Sequence, residues 1–409
     1  MINYSLMNLP KKEETAARLI FKYILQYLLE RKTKFSLFVQ INKLLKILYS
    51  KSLDLIDEAY LQIIKQLINP PSQKQIKRVL NLLAIVGSFI CLTPRLFFYV
   101  MNFLNAKLKE YKENGLETLQ VMAQYCFFRL KFMFESGASR NELPLENEIL
   151  MIENMKKISI PIYYFNGECY MLHIESYNSV SEVKKILFKK LAIEQDTYFF
   201  GLFETKFENN KIFERLLEED QKIMDVISFW DNKRRNGDLI EARICLKIKF
   251  FYQFSSSELH SFEFLYRHSL NEILMGKIPI NESLALKLAA LALAVDYGDF
   301  SKEKTRFLKL DMERLIPKNM ISLYPPQNWI DKILINYFKI KSFDMLYAKF
   351  AYLEFLKKND FFCSEIFCIT YAMKKKSEAQ FSNEKEIHIA VKVSEFIFFE
   401  KEKYRILQR

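Results

Sequence analysis

Glycine and proline are scarce: 8 glycines and 10 prolines punctuate 409 residues. A chain so poor in turn formers favours long helices over loop-rich architectures. The glycines are widely scattered and no Gly-Lys-Ser/Thr follows them, so neither a phosphate-cradling loop nor a motor ATPase segment is present. Six cysteines (Cys91, Cys126, Cys169, Cys245, Cys363 and Cys368) form no CxxC pair, and the four histidines form no HExxH. Zinc and a disulfide framework are therefore not expected, and the thiols read as reduced core residues of a cytosolic protein. No nucleophile–base constellation stands out, so no catalytic residue and no cofactor is assigned. Met1–Leu9 lacks the basic start and apolar stretch of a signal peptide. The uncharged run Val79–Thr93 is interrupted by Pro94-Arg95. It falls short of the roughly 20 residues a bilayer needs, and a pair of buried helices is expected there.

What the chain does have is hydrophobic material: 50% of it, with an aromatic share of 15%, enough for two or three folded domains. The formal net charge of +12 is concentrated in residues 1–157, which hold 23 Lys+Arg against 14 Asp+Glu. Such a surplus suits acidic partners such as microtubules, anionic lipid or nucleic acid, and equally suits a solvated lysine-rich helical surface. The aromatics follow core periodicity and do not interleave with basic residues, which disfavours nucleic acid.

Hydrophobic spacing divides the chain into four parts. Residues 1–157 read as helix after helix: Thr15–Leu29, Leu44–Leu48, Asp57–Ile68, a helix through Val79, Leu82, Leu83 and Val86, then Leu96–Tyr111 and Leu116–Phe134. Asp54 or Asp57 is the expected N-cap of the third, and Ser72-Gln73-Lys74-Gln75 reads as a capping box. At residue 158 the pattern turns to strands: Ile158–Phe165, an Asn166-Gly167 turn, then Glu168–Ile174. A helix opened by the box Ser179–Glu182 follows, with strands at Thr197–Phe203 and Arg243–Tyr252. That order, over residues 158–252, is a ubiquitin-like β-grasp. Residues 253–358 are helical again, with Ser283–Val295 apolar nearly all round and helices at Trp329–Phe338 and Phe343–Lys357. Over 359–409 three strands are expected, at Phe361–Met373, Glu386–Val393 and Glu395–Arg405. The fold class expected is therefore a multidomain α+β protein that begins with an all-α bundle.

Asp57-Glu58-Ala59-Tyr60-Leu61-Gln62-Ile63-Ile64-Lys65-Gln66, then Asn69-Pro70, resembles the signature helix of the myosin-tail-homology 4 (MyTH4) domain. Arg78, Leu82-Leu83-Ala84, Gly87, Phe89, Pro94 and Asn102-Phe103-Leu104 continue that pattern. Two departures occur: Val79-Leu80 follows Arg78 where the family usually carries a tryptophan, and its Pro-Pro-Ser is reduced to Thr93-Pro94. The second half resembles a FERM domain. Phe264-Leu265-Tyr266, Ile273-Leu274, Gly276, Pro279 and Glu282 through Leu288-Ala289-Ala290-Leu291 carry the likeness. Asp296-Tyr297-Gly298-Asp299, Leu315-Ile316-Pro317-Lys318 and Trp329 continue it, with Ile223–Ile227 and Trp230-Asp231 resembling the end of the first lobe.

The resemblance implies a helical second lobe like acyl-CoA-binding protein and a third lobe of the PH or phosphotyrosine-binding type. With three strands and no closing helix, that third lobe is expected to be incomplete and to lack the usual peptide groove. It also implies a non-catalytic module that binds cargo peptides and cytoskeletal filaments, in the tail of an unconventional myosin or a kinesin. A stand-alone membrane–cytoskeleton scaffold is the alternative, and a hydrolase hidden in the same fold is a third. Lys65, Lys74, Lys77 and Arg78 are a candidate basic face for microtubules, and Lys107, Lys109 and Lys112 a second one. Asp57, Glu58, Tyr60, Gln62, Gln66, Tyr266, Gly276, Ala290, Tyr297, Gly298 and Asp299 are expected to act mainly structurally.

Overall fold

The computed structural model describes residues 4–7, 9–49, 52–137, 139–164, 168–193, 197–208, 211–249, 259–298, 311–340, 344–362, 364–373, 382–392, 395–400 and 405–408. The Asn166-Gly167 turn, Asp299 and Cys363 lie outside the described residues.

Seven helices fill the N-terminal part: α1 (Lys11–Tyr27), α2 (Leu37–Tyr49), α3 (Leu53–Lys65), α4 (Gln73–Phe89), α5 (Pro94–Glu113), α6 (Glu117–Ser136) and α7 (Glu146–Glu153). The starts of α3, α4 and α5 are set by hydroxyl caps. Ser52, Ser72 and Thr93 each accept from the backbone N–H three residues on, at Leu55, Gln75 and Leu96. The expected cap at Asp54 or Asp57 is thus corrected to Ser52, which places Asp57 inside α3, where its carboxylate faces other helices. Ser72 caps as expected, but the Gln75 side chain reaches Glu30 at 2.5 Å and does not close the box. The uncharged run ends α4 at Phe89 and feeds α5 from Pro94, and no described helix is long and apolar enough to cross a membrane. Leu80, Leu83, Val86 and Phe89 are buried with Ile63, Val100 and Leu130 in one core.

A mixed lobe follows: β1 (Ile158–Tyr163), β2 (Cys169–Ile174), α8 (Val180–Leu191), β3 (Phe200–Glu208), β4 (Lys211–Leu216), α9 (Ile223–Arg235) and β5 (Glu241–Ile248). The strand order is β2-β1-β5-β3-β4, with β1 and β5 parallel and β3 and β4 antiparallel. The box at Ser179 is complete: Glu182 N–H donates to Ser179 Oγ at 3.3 Å, and Ser179 N–H donates to the Glu182 carboxylate at 2.8 Å. Two corrections apply. Thr197–Phe199 is a 3₁₀ turn, and the strand runs on to Glu208. β4 was not foreseen because it is an edge strand whose Ile212, Phe213 and Leu216 are all exposed, so no buried face imprints an alternation.

The third part is helical: α10 (Leu259–Leu274), α11 (Glu282–Tyr297), α12 (Pro326–Phe338) and α13 (Met345–Lys357). As its all-round apolarity requires, α11 is central, packed against both α12 and α13. The chain closes with an antiparallel sheet of β6 (Glu365–Met373), β7 (Ser382–Val391), β8 (Phe396–Glu400) and β9 (Arg405–Gln408). Four strands stand where three were expected. Of the run Glu395–Arg405 expected as one strand, β8 ends at Glu400 and Arg405 opens β9.

The chain forms two compact units. The first comprises residues 1–162, 169–187 and 202–244; the second comprises 163–168, 188–201 and 245–409.

Candidate functional site

Arginines decide the interior of the first unit. Arg140, in the segment after α6, is 1% exposed. Its backbone N–H donates to the Phe89 carbonyl at 2.9 Å, tying it to the end of α4. Its guanidinium forms ion pairs with Glu148 of α7 and Asp225 of α9, and donates to the Ser176 carbonyl at 3.0 Å and Ser228 Oγ at 3.2 Å. Asp225 is saturated in turn, accepting from the backbone N–H groups of Asn141 and Glu142 at 3.0 and 3.1 Å. Burial works against the Arg140 cation, yet the facing carboxylates hold its pKa above the ordinary value. Burial pushes Glu148 up, opposed by Arg140.

A second arginine, Arg129 of α6, repeats the arrangement. It donates to Ser88 Oγ at 2.7 Å, pairs with Glu175, and lies over the rings of Tyr125 and Tyr177. Phe132 stacks on Tyr177 with centroids 4.6 Å apart. Two buried cations thus join the helical part to the mixed lobe.

Beside Arg140 a cavity of about 640 Å³ opens between residues 139–142, β3, β4 and the start of α9. Four of its charged residues, Glu204, Lys206, Arg215 and Asp225, are held in ion pairs. Glu204 is 3% exposed and accepts from Trp230 Nε1 at 2.5 Å and Arg215 at 2.8 Å, with Lys206 at 3.2 Å. Burial alone would raise its pKa, but these donors outweigh burial and hold the carboxyl below its ordinary range. Lys222 is different. It is 6% exposed and lines the cavity, yet among the described residues it has no ion pair and no side-chain hydrogen bond. Burial lowers its pKa, partly offset by the fields of Glu182 and Asp225.

The residues singled out in the sequence lie elsewhere. Asp57 accepts from Thr93 Oγ1 at 2.6 Å and from Arg95 at 3.0 and 2.7 Å. Glu58 accepts from the backbone N–H groups of Leu6 and Met7 at 2.8 and 2.7 Å, and from Gln62 at 2.6 Å. Tyr60 donates to the Ile90 carbonyl at 2.5 Å, and Gln66 donates to the Gln62 carbonyl at 3.3 Å. Tyr266 is buried edge-on to Tyr352, and Ala290 is fully buried in α11. Gly276 and Gly298 have positive φ at helix ends; the Gly298 carbonyl accepts from Tyr337 at 2.6 Å, and Tyr297 is exposed. Of the basic residues, Lys65, Lys74, Lys77, Lys109 and Lys112 are exposed. Arg78 is half-buried and donates to the Leu28 carbonyl at 3.2 Å, and Lys107 pairs with Glu110 at 2.8 Å. Among the described residues no group of His, Cys, Asp and Glu could hold a metal ion.

Lys222, Arg140 and Arg129 were not foreseen. An arginine's sequence neighbours do not reveal that it is buried, since its partners stand 8 to 88 residues away; the one available hint, Asp225 and Trp230 near the end of a lobe, concerned packing.

Three family models match the chain in succession: a MyTH4 domain over residues 41–151, an RA-like domain over 156–250 and the FERM central domain over 256–367. The chain is a MyTH4–FERM module. The human Myosin 7b C-terminal MyTH4–FERM domain, solved in complex with the harmonin-a PDZ3 domain, superposes with a TM-score of 0.75 at 20% identity, over 99% of this chain and 83% of that one. That likeness is one of fold. Among curated proteins, an uncharacterized Drosophila melanogaster protein is 25% identical over 261 residues, 60% of this chain and 14% of its own. Myosin-VIIa of the same fly is 31% identical over 176 residues, 43% of this chain and 7% of its own. The module therefore spans a small fraction of the curated relatives it matches.

Proposed function

We propose that this MyTH4–FERM module is a non-catalytic adaptor that captures peptide segments of partner proteins and couples them to cytoskeletal filaments, as part of a myosin-like or kinesin-like tail. The observation that carries this reading is the pair of buried arginine networks. Within the first unit they tie the helical domain to residues 169–187 and 202–244 of the RA-like lobe and leave a half-polar cavity beside them, a frame suited to holding an extended partner. The Myosin 7b relative of the same fold is a complex with another protein's domain, which supports capture of a partner here.

The filament arm rests on the surplus of positive charge in residues 1–157 and on the exposed Lys65, Lys74 and Lys77. Arg78 is left out of the test because its hydrogen bond to Leu28 makes it structural. Co-sedimentation with microtubules should be salt-sensitive, and the triple Lys65→Glu, Lys74→Glu, Lys77→Glu variant should lose most of it. Equal pelleting of variant and parent would remove the microtubule arm and leave partner capture standing. Tighter binding to anionic vesicles than to microtubules would favour a stand-alone membrane–cytoskeleton scaffold.

A further inference from the structure

The segment that leads into α1 is held by carboxylates. Glu58, inside α3, is 0% exposed, and it accepts from the backbone N–H groups of Leu6 at 2.8 Å and Met7 at 2.7 Å, one to each oxygen. The third donor to that carboxylate is Gln62 Nε2 at 2.6 Å. Glu14, in the first turn of α1, accepts from the Ser5 N–H at 3.1 Å. Two acids on the packed helices α1 and α3 thus grip the main chain of residues 5–7.

Little apolar burial supports that grip. Among the described residues of the segment, Leu9 is buried and Met7 packs partly against the helical core, while Tyr4 is 80% and Leu6 42% exposed. The join to α1 is independent of the segment. Pro10 stands at the N-cap without a side-chain cap bond, and its carbonyl accepts from the N–H groups of Glu13 and Glu14 at 2.8 and 3.3 Å. The first turn of α1 therefore keeps its hydrogen bonds when residues 4–9 leave. A stretch with few buried contacts and a self-sufficient neighbour belongs to the low-stability end of a fold's local openings.

We propose that residues 4–9 are a releasable strap on the helical domain, latched by Glu58, that opens while the bundle beneath it stays folded. Glu58 makes the opening all-or-none. In the closed form the buried carboxylate has three donors; once both N–H groups leave, Gln62 alone remains, and a buried anion short of partners is costly. Half-open arrangements are thereby disfavoured, and release must hand Glu58 to solvent. Opening thus uncovers an acidic acceptor in the part of the chain with the largest positive surplus. The inference goes beyond the adaptor reading and stands apart from it.

The test is hydrogen–deuterium exchange of the full chain, read by mass spectrometry on fragments covering residues 4–9 and helices α3 to α6. In the parent, the strap amides should exchange roughly tenfold or more faster than those of α4 and α6, yet more slowly than in a free peptide of the same sequence. Glu58→Gln leaves one oxygen for two N–H groups, and should speed strap exchange by roughly another tenfold with α4 to α6 unchanged. Leu6→Pro removes one of the two donors at an exposed position, leaves the buried carboxylate in place, and should do the same. Strap exchange in step with α4 and α6 in the parent would overturn release, and exchange as fast as the free peptide would overturn docking. No acceleration in either variant would overturn the latch. Acceleration by Glu58→Gln alone, or spread over α4 to α6 in both variants, would make Glu58 a part of the core and overturn the strap.

Discussion

Glu204 shows how a single carboxylate is made to depend on its neighbours. Trp230, Arg215 and Lys206 surround it and hold its pKa below the ordinary range against the effect of burial. A carboxyl with a depressed folded pKa contributes stability that is complete above its unfolded pKa, about 4.3 for Glu, and that is lost as pH falls through the lower folded value. Glu204→Gln should therefore flatten the decline of stability below about pH 4.3. Urea unfolding followed at several pH values between 3 and 7 measures this, and parallel curves for variant and parent would refute it. Lys222 stands at the opposite pole: its depressed pKa means that its burial costs stability, and the cost falls as pH rises.

Among the elements, the contact of α4 with α6 turns on one missing side chain. A Cβ built at Gly87 would sit 2.5 Å from Leu130 Cδ2 and 3.1 Å from Leu130 Cγ. The glycine is there for closeness, since it lies within the helix and needs no unusual backbone angle. Gly87→Ala should cost about 1–3 kcal/mol through overpacking. Adding Leu130→Ala should recover part of that cost, because the two changes share one space. Chemical denaturation of the two single variants and the double variant tests the coupling; strict additivity would show that α4 and α6 do not meet through this pair.

At the largest scale, the question is what makes the helical domain and the parts of the RA-like lobe that share the first unit, residues 169–187 and 202–244, behave as one body. Arg140 and Arg129 bridge them by buried ion pairs, and removal of one partner from a buried pair costs about 3–5 kcal/mol, because the other charge is left uncompensated. The double variant Arg129→Met, Arg140→Met should accordingly lower the melting temperature and separate the unfolding of residues 1–157 from that of the following lobe. Differential scanning calorimetry would show a new low-temperature transition. An unsplit transition at the parent's temperature would mean that apolar contacts such as Phe132 on Tyr177 suffice to couple them.

Local chemistry determined much of this protein. Hydroxyl residues at Ser72 and Ser179 announced the starts of α4 and α8, and helical spacing located the bundle. The uninterrupted apolarity of Ser283–Val295 placed α11 at the centre of its lobe. These features depend on neighbours a few residues apart, which a sequence displays directly. The edge strand β4 was less legible, since with Ile212, Phe213 and Leu216 exposed it carries no buried alternating face. The knot at Arg140 and the vacant Lys222 were invisible, because a charged side chain reads as solvated until its environment is known. Only the tertiary structure brought Asp225 and Ser228 to Arg140 from 85 and 88 residues away, and burial there turned an ordinary arginine into a joint.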